Sequence, residues 1–145
     1  MIFRLAPPMI NILLLYIAAL SLITFVLAYK FSKRGSFYSD TLFLTPLGIY
    51  VWGDALILAP FWFLVSTTFL ISSAEMSLFL RIYVLFLALR SAYEVIYWLL
   101  HQSTKSEYQP PVLRSVKWLK AQDIAILYQL FHTCIIVLSL GWLFL

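Results

Sequence analysis

The chain has 145 residues, of which 63% are hydrophobic, 18% aromatic and only 11% charged, where an ordinary soluble domain carries about 25% charged residues. Ten basic and six acidic residues, at a mean hydropathy of +0.96, cannot cover the surface of a water-soluble domain, and so high an apolar fraction excludes disorder. The lone Cys134 excludes an internal disulfide framework or a paired-cysteine redox site. The net charge of +4 resides in short loops between apolar runs, which favours a membrane surface over nucleic acid as partner.

About 20 apolar residues are needed for a helix to cross the hydrocarbon layer. The first such run is Met9–Tyr29, preceded by Pro7-Pro8 and followed by Lys30, with Asn11, Ser21 and Thr24 as its polar residues. It lacks the short apolar core and small-residue cleavage site of a signal peptide, so a retained helix is expected. A basic turn follows at Lys30, Lys33, Arg34 and Gly35. From Phe37 to Gly48 the chain reads as an interfacial approach, with Ser39-Asp40 able to cap a short turn and Pro46 and Gly48 able to break it.

The second span is expected over residues 49–72, kinked at Pro60. A tight connection holding Glu75 leads to the third, residues 77–100, and the fourth occupies 123–145. Between the last two, Val112, Leu113, Val116 and Leu119 fall on one helical face, with Arg114, Lys117 and Lys120 on another. That pattern predicts a short amphipathic helix lying among lipid headgroups, its basic residues contacting anionic lipid. The apolar runs are continuous rather than alternating, which excludes a β-barrel. The expected fold is therefore all-α: one polytopic membrane domain over residues 1–145, with four transmembrane helices and an interfacial helix before the fourth.

Orientation follows from Lys and Arg. Seven of them (Lys30, Lys33, Arg34, Lys105, Arg114, Lys117, Lys120) lie on one side, against Arg4 on the other. This places both termini outside the cytoplasm, in a plasma (inner) membrane, with anionic headgroups facing the basic loops. Tyr50, Trp52, Trp98, Trp118 and Trp142, near span ends, read as interface anchors.

Ionisable residues inside spans are costly and need partners. Arg81 can snorkel outward and Asp123 suits a helix N-terminus, which leaves Asp54, Arg90 and Glu94. Arg90 and Glu94 are four apart and share a face that continues through Tyr97 to His101. In a tight hairpin between spans two and three, Asp54 comes level with Glu94. Counted inward from the cytoplasmic edge, His132 comes level with Arg90, and Gln129 lies near Glu94. The expected polar cluster is Asp54, Arg90, Glu94, Tyr97, Gln129 and His132.

An arginine bridging two carboxylates is a common lock for a membrane hairpin. Two carboxylates against one arginine also leave an unbalanced negative charge, the signature of a titrating or cation-handling site. No metal-ligand spacing, phosphate loop or nucleophile motif occurs in the sequence, so no catalytic residue, metal or cofactor is expected. The leading expectation is a non-catalytic structural or assembly subunit of a homo-oligomer or larger membrane complex. Asn11, Arg81 and Ser66-Thr67-Thr68 would then offer polar contacts toward neighbours. The alternatives are a proton- or cation-coupled transporter built on Asp54, Arg90, Glu94 and His132, and, more weakly, a lipid-modifying enzyme.

Overall fold

Four long helices occupy the four apolar stretches in the computed structural model, which describes residues 7–72, 74–101, 118 and 120–145. They are α1 (Pro7–Lys33), α2 (Trp52–Ser72), α3 (Met76–His101) and α4 (Ala121–Phe144), with a 3₁₀ helix at Leu42–Leu47. Among the described residues, the extended structure is an isolated antiparallel bridge between Asp40 and Val51. Among the described residues, three segments are long and apolar enough to cross a membrane: Met9–Lys33, Trp52–Ser72 and Asp123–Phe144. The chain is thus a helical protein of membrane type. With its 26 residues, α3 reaches about 39 Å at 1.5 Å per residue, but Arg81, Arg90 and Glu94 interrupt its apolar run. Arg114 and Lys117, and with them the expected interfacial helix, lie outside the described residues. Lys120 is exposed and extended immediately before α4.

The chain divides into two compact units, one ending at Phe79 and one beginning at Leu80. In the first, α1 buries Leu14, Ala18, Ser21, Thr24 and Ala28, and α2 buries Ala55, Ala59, Trp62, Ser66 and Phe69. Both sets recur every three or four residues, and their small members let backbones approach closely without the hydrophobic effect that water would supply. Ala28 joins Trp52, Ala55 and Ala59 in one cluster, and Phe31 stacks on Trp52 at 4.6 Å. The first turn of α3 closes on α2 through Phe79, whose ring lies 5.4 Å from that of Phe69.

The stretch before α2 departs from the expected start of the second span at residue 49. The expected interfacial approach extends to Val51: residues 37–51 fold back as a lobe, and α2 begins at Trp52. The Thr41 N–H donates to the Tyr50 carbonyl (2.9 Å), and the Gly53 N–H to the Phe37 carbonyl (2.9 Å). From α2, Trp62 Nε1 donates to the Leu47 carbonyl at 2.9 Å. Thr41, Leu44 and Ile49 turn inward and are buried. The 3₁₀ helix starts after Thr41 rather than at Ser39-Asp40, and ends at Gly48. At Gly53 a Cβ would come within 2.3 Å of the Phe37 ring, so any larger residue there must displace that ring.

The second unit pairs the rest of α3 with α4. Trp98, Ala125 and Tyr128 form its apolar cluster, with Tyr97 against it. Trp98, read from sequence as an interface anchor, is 5% exposed, and Trp52 in the first unit is also buried. Their positions near helix ends reflect packing partners rather than headgroups. Trp118 and Trp142 are exposed.

Candidate functional site

The middle of α3 carries a ladder of polar side chains at helical spacing. Arg90 Nη1 donates to Glu94 Oε1 in an ion pair, with both side chains only 10% exposed. The other carboxylate oxygen, Oε2, accepts from Trp98 Nε1 at 3.2 Å. Glu94 is thus held by one donor four residues before it and another four residues after it, the spacing at which α-helical side chains meet. The Arg90 guanidinium also lies 5.2 Å from the centre of the Tyr93 ring, a cation–π contact.

The neighbouring face of α3 meets α4 through a second polar pair. His132 is fully buried, and its Nδ1 lies 3.0 Å from the hydroxyl of buried Ser91. Counting residues inward puts His132 level with Arg90, and the hydrogen bond is to the residue immediately following it. Rings pack around this pair. Tyr128 meets His132 edge-on at 4.5 Å and Trp98 at 5.9 Å, and Phe131 meets His132 at 5.4 Å. The indole of Trp98 therefore joins the two pairs, bonding Glu94 through its N–H and meeting the Tyr128 ring in a T-shaped contact.

The other predicted residues sit as follows. Tyr97 stacks on His101 at 4.2 Å, and His101 Nδ1 donates to the Tyr97 carbonyl at 2.7 Å. Gln129 is partly exposed, and its carbonyl accepts from the Thr133 hydroxyl at 2.8 Å. Asp54 belongs to the other unit. It lies in the first turn of α2, where Oδ2 accepts from the N–H groups of Tyr50 (3.0 Å) and Val51 (3.4 Å). A carboxylate three residues after Val51 satisfies amides that a helix start leaves open, and the helix dipole favours its charge.

Ser91, Trp98 and Tyr128 were absent from the expected cluster. Their signal was helical spacing: Ser91 and Trp98 lie three before and four after Glu94, and Tyr128 four before His132. Among the described residues no group of three or more His, Cys, Asp or Glu side chains is placed to hold a metal ion. The chain matches no protein family, no curated protein and no solved structure.

Chemically, Ser91 and His132 bring a hydroxyl within hydrogen-bonding reach of a base. At 2% and 0% exposure, the pair leaves no access for a substrate carbonyl in this arrangement. The Arg90–Glu94–Trp98 ladder does something simpler: it gives a buried carboxylate both a counter-charge and a second donor.

Proposed function

We propose that this chain is a non-catalytic structural or assembly subunit, a membrane protein in which α3 crosses as well, making four crossings, and the mid-helix polar residues lock the fold. The observation that carries this reading is that Arg90 and Trp98 both bond Glu94 and Ser91 bonds His132. The first set satisfies a buried ion pair within α3, and the second joins α3 to α4, so groups expensive to place in lipid have partners inside the protein. Asp54 has a local role at the start of α2, so the second carboxylate no longer argues for an unbalanced, exchanging charge. Arg90, Glu94 and His132 of the expected polar cluster enter this reading as structural groups, and the proton- or cation-coupled alternative becomes an outcome of its test.

Association is part of the proposal. Asn11 is exposed on apolar α1 and Arg81 on α3, and polar groups on lipid-facing helix surfaces are stabilised by hydrogen bonds across helices. Ser66 and Thr67 are withdrawn from that role, because their hydroxyls bond the carbonyls of Trp62 and Phe63 (2.7 Å each). Orientation with both termini outside the cytoplasm, in the plasma (inner) membrane, rests on the Lys and Arg asymmetry; Arg114, Lys117 and Lys120 are proposed to contact anionic headgroups there. The test is the mass of the protein extracted in native lipid particles. More than one protomer, or a stoichiometric partner, is expected; one protomer with nothing bound contradicts the proposal.

A further inference from the structure

Three cations and a row of apolar side chains lie together where α1 ends and α2 begins. Lys30 and Lys33 occupy the last turn of α1. Arg34 follows, in a turn closed by the Ser36 N–H on the Phe31 carbonyl (3.0 Å) and the Gly35 N–H on the Ser32 carbonyl (3.2 Å). All three basic side chains are exposed. Lys33 Nζ lies 4.5 Å from the centre of the Tyr29 ring, and no ion pair engages any of the three among the described residues. Asp54, at the start of α2, accepts from the backbone amides of Tyr50 and Val51.

The lobe beside them is amphipathic and rigidly oriented. Thr41, Leu44 and Ile49 are buried, while Phe37, Tyr38, Leu42 and Phe43 are 38%, 65%, 58% and 69% exposed. Backbone bonds to Tyr50 and Gly53 and the Trp62–Leu47 bond fix which side faces out. Phe43 meets Trp52 at 6.4 Å, and Trp52 stacks on Phe31, so the exposed row is tied directly to the end of α1. Both flanking helices are long and apolar enough to cross a membrane, which puts their shared end at the edge of the hydrocarbon. Aromatic and leucine side chains are stable at that boundary, and lysine and arginine reach from it to phosphate.

We propose that this end of α1 and α2 is a docking site for an anionic phospholipid. Lys30, Lys33 and Arg34 hold its phosphodiester, and Tyr38, Leu42 and Phe43 lie against its glycerol and upper acyl chains. The site is separate from the Arg114–Lys120 segment and does not depend on the subunit reading.

The test uses the full chain in nanodiscs of phosphatidylcholine alone or mixed with phosphatidylglycerol, with bound lipid counted by native mass spectrometry. Phosphatidylglycerol should be retained over phosphatidylcholine, and each neutralisation (Lys30→Gln, Lys33→Gln, Arg34→Gln) should weaken that preference about fivefold, the equivalent of about 1 kcal/mol per cation near an anionic surface. Lys30→Arg and Lys33→Arg should keep it, which separates charge from misfolding. A fluorophore on Phe43→Cys, in a Cys134→Ser background, should be quenched by lipids brominated near the glycerol. Equal retention of both lipids, an undiminished preference in the folded neutral variants, or equal protection by inorganic phosphate in lipid-free detergent would overturn the proposal.

Discussion

Replacing Arg90 with leucine removes the counter-charge of Glu94 and leaves the rest of the ladder in place. Both side chains of the pair are 10% exposed, so the carboxylate cannot turn to water. Breaking a buried pair in this way costs about 3–5 kcal/mol. Trp98 Nε1 still donates to Oε2 at 3.2 Å, and a hydrogen bond to a charged group contributes about 1.5–3 kcal/mol. That retained donor sets the expected loss at the lower end, about 3 kcal/mol. Adding Glu94→Gln removes the stranded charge and keeps an oxygen for the indole, so Arg90→Leu/Glu94→Gln should recover all but about 1 kcal/mol. Equilibrium unfolding in mixed micelles, followed by circular dichroism, measures both variants. Independent sites add within about 0.5 kcal/mol. A double variant as unstable as Arg90→Leu, or an Arg90→Leu effect inside that margin, would refute the ladder.

Ser91→Ala removes the hydroxyl from Nδ1 of buried His132 and should cost about 1–3 kcal/mol in the same assay. Adding His132→Leu should restore most of it, and failure to do so would separate the two residues. Gly53→Ala drives a Cβ into the Phe37 ring and should cost about 1–3 kcal/mol; Phe37→Ala should relieve that cost, and no relief would place the strain elsewhere. Asp54→Ala should lower thermal stability by about 0.5–2 kcal/mol, as expected for a lost helix cap. Asp54→Asn, which keeps an acceptor, should lose less; equal losses would show that the charge alone matters. Lys33 should react with an impermeant amine reagent only after cells are opened, and labelling of intact cells would reverse the proposed orientation.

Helix positions were legible in the sequence because uninterrupted apolar length is the dominant signal in a chain of this composition. The regions 9–29, 49–72, 77–100 and 123–145 meet α1 to α4 with shifts of a few residues at their ends. Before α2, the short turn ended by Gly48 was legible from Pro46 and Gly48, but its fold-back was not. Leu44, Leu47 and Ile49 are held back by bonds such as Trp62 to Leu47, across 15 residues, and Thr41 to Tyr50. No periodicity within residues 37–49 encodes those contacts.

In the site, spacing along one helix was the reliable guide and residue class the poorer one. Arg90 and Glu94 were found from their separation of four. Trp98 has the same separation from Glu94, yet tryptophan near a span end reads first as an anchor. Ser91 was missed because serine carries no charge and tolerates many environments; only the partner on α4 gives it a role. Asp54 illustrates the reverse case. A local pattern, a carboxylate three residues beyond Val51 with amides to satisfy, accounts for it without any distant partner.

In the proposed reading the mid-helix polar groups lock the protein rather than move ions. Proton flux into liposomes containing the purified protein, set against empty liposomes and against the Glu94→Gln variant, tests it most directly. All three preparations should take up protons at the same rate across the pH range. Flux well above empty liposomes, abolished in Glu94→Gln while its helical spectrum is preserved, would contradict it.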